Sequence, residues 1–233
     1  MVAIITGGSK GLGLAMAKKF IHEGYHLALC ARNEADLLAA KTVLQNLNPD
    51  ACILTYACDL SIKKEVEDFA NKVLETYETL DVLVNNAGSF QPGELCEEAD
   101  GLLKNLMATN LYSAYYLTRM IAPRMKQQRH GLIVNISSVA GLQAYTHGGS
   151  YSISKFALSG FSKNLRQELM PYGIKVSTIY PGATLSDSWK GSQIDPARIM
   201  EAEDVSNMIF AMTTLSPQAV VEEVVMRPML GDL

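Results

Sequence analysis

Residues 2–13 read Val-Ala-Ile-Ile-Thr-Gly-Gly-Ser-Lys-Gly-Leu-Gly, and residues 14–20 read Leu-Ala-Met-Ala-Lys-Lys-Phe. The first five residues form an apolar, β-branched run that is typical of a buried parallel strand. The last seven have the apolar spacing of a helix. A glycine-rich turn between a strand and a helix N-terminus presents backbone N–H groups and a positive dipole end, which suit a phosphate group. This stretch therefore predicts a strand, a phosphate-binding turn and a helix.

The spacing of the glycines distinguishes this turn from two common phosphate-binding motifs. It is Gly7-x-x-x-Gly11-x-Gly13, which differs from the commoner G-x-G-x-x-G fingerprint, and it lacks the Lys-Ser/Thr pair of a Walker A loop. An ordinary tight turn between strand and helix remains an alternative. Residues 7–11 also match the G-x-S-x-G elbow of hydrolases, but that elbow belongs on a strand in the middle of a sheet, and here it would follow the first strand.

The rest of the chain alternates between apolar runs and helical patterns, without a repeat or a linker. We predict strands near 2–6, 26–31, 52–56, 80–85, 131–137, 174–180 and 219–226, and helices near 12–23, 34–47, 62–77, 99–128, 150–171 and 201–213. This alternation predicts one α/β domain over residues 1–233, with a parallel sheet of about seven strands and helices on both faces. Residues 183–200 have no clear period, and we interpret them as a lid over a substrate.

Composition excludes several classes of protein. A formal net charge of −4 over 233 residues argues against nucleic acid as the main partner. No run of about 18 apolar residues predicts a membrane span, and the first strand begins by residue 2, which leaves no room for a signal peptide. We therefore expect a cytoplasmic protein. No metal site is expected, because the cysteines and histidines lack ligand spacing: Cys30, Cys52, Cys58, Cys96, His22, His26, His130 and His147.

A second pattern consists of residues that could catalyse a proton transfer. Tyr151 and Lys155 are four residues apart on a predicted helix, and Ser138 lies thirteen residues before Tyr151. A tyrosine with a pKa of about 10 is a poor proton donor at neutral pH until its phenolate is stabilised. A lysine one helical turn away would lower that pKa, and a serine hydroxyl could hold a substrate oxygen near the phenol. Ser137 competes with Ser138 for this role, and the Tyr-Lys spacing alone is too common to decide the function.

Taken together, these motifs resemble those of short-chain dehydrogenases/reductases of the classical type. The matching motifs occur in the family's order over residues 1 to about 182: Thr6-Gly7-x-x-x-Gly11-x-Gly13, Asp59-Leu60, Asn85-Asn86-Ala87-Gly88, Asn110, Ser138, Tyr151-x-x-x-Lys155 and Pro181-Gly182. The resemblance implies a Rossmann-type fold and an oxidoreductase. Residues 222–229 are most similar to the sepiapterin-reductase-like and general carbonyl-reductase branches of the family.

The resemblance also implies a nicotinamide cofactor. Sheets that bind NAD place an acidic residue after the second strand, but here that strand ends with Ala31-Arg32, and Lys10 adds a second cation. Two cations and no acid favour the 2′-phosphate of NADP(H), unless Arg32 pairs with Glu34 or Asp36. The cofactor-binding residues implied by the family are Gly7, Ser9, Lys10, Gly11, Leu12, Gly13, Arg32, Asp59, Leu60, Asn86, Ala87, Gly88, Tyr151, Lys155, Pro181, Gly182 and Thr184. Asp59 could instead cap the following helix, although Ser61 is also placed to do so.

The family's catalytic roles fall on four residues of this chain. Tyr151 would donate a proton to a substrate carbonyl oxygen, and Lys155 would lower the Tyr151 pKa and bind the nicotinamide ribose. Ser138 would orient the substrate oxygen, and Asn110, within a predicted helix, would hold a water that links Lys155 to solvent. We expect a small ketone or aldehyde as substrate, in a pocket lined by Gln143, Tyr145, His147 and Trp189, although His147 could be a plain loop residue.

The sequence leaves two other functions open. A reductase of 3-oxoacyl groups on acyl carrier protein is favoured by Arg129 at the position of a carrier-docking arginine, but Tyr172 stands where the second such arginine is expected. A non-catalytic, NADP-binding regulator is disfavoured because all four catalytic positions are filled. Apolar residues in excess of one stripe on helices 99–128 and 150–171 predict a homodimer or homotetramer, in keeping with the family.

Overall fold

The computed structural model describes residues 1–185 and 195–232. Its strands are β1 (Val2–Thr6), β2 (His26–Ala31), β3 (Ile53–Ala57), β4 (Val82–Asn85), β5 (Gly131–Ile136), β6 (Ile174–Pro181) and β7 (Glu223–Met226). They form one seven-stranded sheet in the order β3-β2-β1-β4-β5-β6-β7, and each neighbouring pair is parallel. The predicted Rossmann-type, doubly wound parallel sheet is confirmed.

Helices connect the strands. They are α1 (Gly11–His22), α2 (Glu34–Leu47), α3 (Lys63–Thr76), α4 (Leu102–Met107), α5 (Ser113–Gln128), α6 (Gly149–Leu169) and α7 (Ala202–Thr213). A π-helical turn covers Ala108–Tyr112, and short 3₁₀ turns cover Val139–Gly141, Met170–Tyr172 and Pro196–Arg198. Within residues 1–185 and 195–232, no helix has both the length and the apolar character needed to cross a membrane.

Two hydrophobic cores lie on opposite faces of the sheet. Ile4 of β1 belongs to the core that includes Phe69 of α3, whereas its neighbours Ala3 and Ile5 belong to the core that includes Phe20 of α1. The first core is completed mainly by α5 and α6, and the second by α2 and α7. Because successive side chains of a strand point to opposite faces, a sheet covered on both sides needs continuous apolar strands. The unbroken apolar run of β1 therefore fits its central position.

The strand order reverses between β1 and β4. Thr6, the last residue of β1, joins the two strands there: its hydroxyl accepts the N–H groups of Asn86 and Ala87, each at 2.9 Å. In an open parallel sheet, connections on the two sides of such a reversal leave in opposite directions and open a crevice at the carboxyl ends of the strands. The residues that follow β1, β4, β5 and β6 meet at this crevice.

Two predicted elements differ from the structure. The long helix predicted over 99–128 begins only at Leu102, because Gly101 has a left-handed φ of 87°, and it is interrupted by the π-helical turn. The last strand, predicted over 219–226, begins at Glu223. Before it, the N–H of Ala219 bonds to the carbonyl of Ser216 at 3.1 Å, which makes a turn instead of a strand.

Candidate active site

A cleft of about 590 Å³ lies at the carboxyl edge of the sheet. Most of the residues predicted for the site line it: Gly7, Lys10, Gly11, Leu12, Gly13, Asn86, Ala87, Gly88, Ser138, Gln143, Tyr145, Tyr151, Lys155, Pro181, Gly182 and Thr184. Six predicted residues do not line it: Ser9, Arg32, Asp59, Leu60, Asn110 and His147. Trp189 and residues 186–194 of the predicted lid lie outside the described residues.

The glycine turn is built for close approach. Gly7 and Gly11 have left-handed φ angles of 65° and 49°, and a Cβ on Gly13 would collide with the carbonyl oxygen of Gly7. Helix α1 then begins after Lys10 with no side-chain cap and no acidic residue in its first turn. The first N–H groups of a helix need an outside partner, and here they face the cleft. The arrangement therefore fits a phosphate group at this helix N-terminus.

The contacts of the Ser138 and Ser137 hydroxyls distinguish which of the two lies beside Tyr151. The Ser138 side chain lies at the Tyr151 phenol, whose pKa it lowers, and its hydroxyl accepts the N–H of Ala140 at 3.2 Å. The hydroxyl of Ser137 is buried under α6, where it donates to the carbonyl of Lys155 at 3.1 Å. The structure therefore places Ser138, and not Ser137, beside the phenol.

Lys155 is buried at the end of β5. Its ammonium donates to the carbonyl of Ile136 at 2.9 Å and lies 5.9 Å from the centroid of the Tyr151 ring. A Cβ on Gly88 would lie 3.4 Å from this ammonium, so the small residue after β4 leaves room for it. Tyr151 and Lys155 thus face the same cleft from one side of α6, as their spacing predicts.

Burial dominates the protonation of both groups. It raises the pKa of Tyr151 to about 12, against the lowering effect of the Ser138 hydrogen bond. It lowers the pKa of Lys155 to about 8, because the charged ammonium is removed from water. The sequence predicts that Lys155 lowers the pKa of Tyr151; in this structure burial outweighs any such effect, and the phenol is protonated at neutral pH.

Asn110 lies in the π-helical turn and is 1% exposed. Its side-chain oxygen accepts the N–H of Ser89 at 2.7 Å, and its amide nitrogen donates to the carbonyl of Ser89 and the hydroxyl of Ser154 at 3.0 and 2.8 Å. Both amide hydrogens are thus used within the protein. One lone pair of the oxygen is left for the predicted water, and the contacts of Asn110 in the structure are to Ser89 and Ser154.

The comparison with known proteins decides the family. The family model described as short chain dehydrogenase matches residues 1–196. The chain belongs to the short-chain dehydrogenase family. The resemblance and the oxidoreductase class predicted from the sequence are confirmed.

Three similar proteins illustrate the range of this family. A sepiapterin reductase of Chlorobaculum tepidum is 30% identical over 240 residues, covering 100% of this chain and 98% of that protein. A putative ketoacyl reductase of Streptomyces coelicolor is 37% identical over 183 residues, covering 78% of this chain and 69% of that protein. A metagenomic short-chain oxidoreductase, solved in complex with NADP, is 32% identical with a TM-score of 0.85, covering 98% of this chain and 97% of that one.

In this short-chain dehydrogenase, Lys10 and Arg32, the two cations predicted to favour NADP(H), have different surroundings. Lys10 forms an ion pair with Asp36 at 2.8 Å, so one of the two predicted cations already has an acidic neighbour. Arg32 is exposed, and it makes no ion pair with a carboxylate within residues 1–185 and 195–232. The alternative in which Arg32 pairs with Glu34 or Asp36 is therefore wrong. Lys10 lines the cleft, whereas Arg32 lies outside its lining, on the exposed surface after β2.

Asp59 does not cap the next helix. Its carboxylate accepts the N–H of Ser61 at 2.9 Å, and its own N–H bonds to the carboxylate of Glu65 at 2.6 Å. Helix α3 begins after Ile62 and has no side-chain cap, so the expectation that Ser61 caps this helix is wrong. The helix starts at Lys63, one residue later than predicted, and the Asp59 carboxylate bonds within the turn before it.

His147 is turned away from the cleft. Its Nδ1 lies 2.7 Å from Glu94 Oε1, its carbonyl accepts the N–H of Gly93 at 2.9 Å, and its φ of 62° is left-handed. The ion pair with Glu94 places the side chain outside the lining of the cleft, as expected for the alternative of a loop residue. The predicted substrate residues Gln143 and Tyr145, by contrast, line the cleft.

The ends of the predicted lid are joined in the structure. Thr184 pairs with Met200 in a short parallel bridge, and the N–H groups of Leu185 and Met200 bond across it at 2.8 and 3.0 Å. The Thr184 hydroxyl donates to the carbonyl of Gly182 at 3.0 Å. Residues 183–185, directly after β6, are thus joined to Met200 by backbone hydrogen bonds.

Sequence reasoning missed other residues of the cleft. Phe90 packs edge-on against Tyr151, with ring centroids 4.8 Å apart. Arg227 and Asp232 pair with each other in the cleft wall. Arg198 holds residues 230–232 at the cleft wall, since its guanidinium donates to the carbonyls of all three residues. The position of Arg227 directly after the last parallel strand was the available signal, because all the strands end at one edge of the sheet.

Proposed function

We propose that this short-chain dehydrogenase is an NADPH-dependent reductase of a small ketone or aldehyde. The observation that carries the proposal is the convergence of Ser138, Tyr151 and Lys155 on the cleft that the glycine turn also lines. An enzyme is favoured over a non-catalytic regulator, since a regulator has no need for a buried lysine and a serine beside a phenol in one cleft.

The cofactor assignment rests on fit and on relatives. The uncapped first turn of α1 suits a pyrophosphate, exposed Arg32 suits a 2′-phosphate, and a similar structure is in complex with NADP. The backbone from Pro181 to Thr184 and the Lys155 ammonium would hold the nicotinamide end. When bound, the reduced nicotinamide supplies the hydride for the carbonyl carbon.

The chain's own groups handle the proton. Tyr151 is protonated at neutral pH and donates its phenolic proton to the carbonyl oxygen, which becomes the hydroxyl of the product. Ser138 hydrogen-bonds to the same oxygen and holds it near the phenol. Lys155, with a pKa of about 8, is mostly charged at neutral pH, so its ammonium stabilises the phenolate that remains.

The walls beside Tyr151 indicate the substrate class. Phe90 and Tyr145 are aromatic, and Val139, Ala140 and Ala144 complete an apolar lining. The charged side chains of the cleft are those of Lys10, Lys155, Arg227 and Asp232 among the residues that the structure describes. We therefore propose a neutral carbonyl compound with an apolar or aromatic substituent.

A 3-oxoacyl reductase is the second candidate. It is favoured by the likeness to a putative ketoacyl reductase of Streptomyces coelicolor. Arg129, the expected carrier-docking residue, donates to the carbonyl of Pro171 at 3.1 Å, and Tyr172 stacks with Lys126 at 4.9 Å. Arg129 is exposed, but Tyr172 stands where the second docking arginine is expected, so the small carbonyl compound is preferred.

We also propose a cytoplasmic homodimer or homotetramer. Large apolar side chains are exposed on the π-helical turn, α5 and α6, including Tyr112, Tyr115, Ile153 and Phe156. Such a surface suits a second copy of the chain. The four cysteines are free thiols, which suits a reducing compartment.

The test is NADPH oxidation by the purified protein with pterin, diketone, aromatic ketone and acetoacetyl thioester substrates. We expect turnover with at least one small ketone, and a decrease of about 10²- to 10⁴-fold in Tyr151→Phe. The control Tyr172→Phe removes an exposed phenol after α6 and should keep wild-type rates. Near-normal turnover in Tyr151→Phe would refute the assignment of the acid, and turnover of the thioester alone would favour the second candidate.

A further inference from the structure

We propose that Glu98 is a positioning residue for the reaction. It fastens the loop between β4 and α4 to the first turn of α6, and thereby holds Phe90 against the ring of Tyr151. The inference deepens the proposed function and rests on it for the activity measurements, whereas the fastening itself can be tested without any substrate.

The first observation is a bidentate contact across 52 residues of sequence. Glu98 Oε1 accepts the N–H of Ser150 at 2.8 Å, and Oε2 accepts the hydroxyl of the same serine. Helix α6 begins after Gly148, which offers no side-chain cap of its own. A carboxylate at a helix N-terminus satisfies an unpaired N–H group and interacts favourably with the helix dipole. Glu98 thus supplies from a distant loop the cap that the local sequence lacks.

The second observation is the close approach at Gly149. This residue has a left-handed φ of 42°, and a Cβ here would collide with the Glu98 carboxylate and lie 2.6 Å from the carbonyl oxygen of Gly93. The loop therefore lies directly on the start of α6. The bond from the Gly93 N–H to the carbonyl of His147, at 2.9 Å, joins the same two segments once more.

The third observation is what lies between the anchors. The loop is held at Ser89 by Asn110 and at Glu98 by Ser150, and Phe90 follows directly after the first anchor. Its ring meets Tyr151 edge-on, at 4.8 Å between centroids and 88° between planes. An edge-to-face contact of this kind depends on both distance and angle.

These contacts link Glu98 to the phenol by two routes. One runs through the first turn of α6, where Tyr151 follows Ser150 directly, and the other runs along the loop to Phe90. Loss of the carboxylate removes both bonds to Ser150 and loosens the loop and the helix start together, with the bond from Gly93 to His147 left between them. The glycine turn and Lys155 keep their own contacts. Because a misplacement of about 1 Å can cost about 10²-fold in rate, turnover should fall although the cofactor still binds.

The experiment compares Glu98→Ala with Glu97→Ala. Glu97 is the exposed neighbour in the same loop, so its removal makes the same change in charge without loss of a contact to α6. We expect kcat to fall by about 10- to 100-fold in Glu98→Ala, with less than about a twofold change in the Kd for NADPH. Glu97→Ala should match the wild type. Glu98→Gln should recover most of the rate, because its amide can still accept the N–H of Ser150 and donate to its hydroxyl.

A second measurement needs no substrate. Hydrogen–deuterium exchange of residues 147–153 should be faster in Glu98→Ala than in Glu97→Ala, since Ser150 loses its acceptor. Unchanged exchange, a kcat within twofold of the wild type, or no recovery in Glu98→Gln would each overturn the proposal. If the wild type reduces no carbonyl compound but the exchange changes as expected, the proposed function fails while the fastening by Glu98 stands.

Discussion

Replacement of Lys155 by methionine should stabilise the fold while it abolishes turnover. Burial lowers the pKa of Lys155 from its ordinary value of 10.5 to about 8, which corresponds to about 3 kcal/mol for holding the ammonium in the folded state. Methionine has a similar shape and no charge. It loses the hydrogen bond to the Ile136 carbonyl, a contribution of about 1 kcal/mol. The net gain near pH 7 should therefore be about 2 kcal/mol.

The lowered pKa of Lys155 also determines how the free energy of unfolding depends on pH. Between about pH 8 and 10.5 the unfolded state binds more protons at Lys155 than the folded state does, so this lysine makes the wild-type free energy of unfolding rise with pH. From about pH 7 to pH 10 the rise should be about 2.5 kcal/mol. Lys155→Met lacks this contribution, so its advantage should shrink and then reverse as the pH increases.

Urea unfolding at several pH values measures both quantities. Lys163→Met is the matched control, because Lys163 lies exposed on the same helix and its removal should leave the pH dependence as in the wild type. The reasoning is refuted if Lys155→Met is no more stable than the wild type near neutral pH. A difference in stability that stays constant with pH would refute it equally.

Three further predictions follow from the site and the surface. Arg32→Asp should weaken NADPH binding by on the order of 2 kcal/mol and leave NADH binding unchanged or tighter; fluorescence titration of both cofactors checks this, and an equal loss for both would contradict it. Ser138→Ala should lower kcat by about 10²-fold while the Kd for NADPH stays the same, and a parallel rise in that Kd would count against the assigned role. Phe156→Glu, on the exposed face of α6, should shift the assembly toward monomer in sedimentation velocity; a wild type that is itself monomeric at micromolar concentration disproves the oligomer.

Local pattern accounts for the parts of the fold that the sequence predicted well. β1 has the predicted bounds because five apolar or β-branched residues end at a glycine pair. The start of β6 is likewise marked by Gly173, whose φ of 73° ends the preceding turn. Strands buried on both faces need such continuous runs, so their order in the chain and their connections imply the sheet.

Long-range contacts account for most of what the sequence did not show. The ion pair of Lys10 with Asp36 and the cap of Ser150 by Glu98 each join residues that no local pattern relates. The sequence does not reveal Phe90 for the same reason, because only the folded loop brings its ring to Tyr151. The π-helical turn at Asn110 inserts one residue into a helical repeat, which periodicity reads as unbroken helix.

The reversal of strand order between β1 and β4 separates the residues expected to bind adenosine from Ser138 and Tyr151 along the chain. Residues expected to meet adenosine, such as Lys10, Arg32 and Asp59, all precede the passage of the chain from one half of the sheet to the other, between α3 and β4. Ser138 and Tyr151 come after it. We therefore expect coenzyme choice and substrate choice to be set by different parts of the chain. A gene chimera joined at residues 77–81 would exchange one of them with a homologue and keep the other.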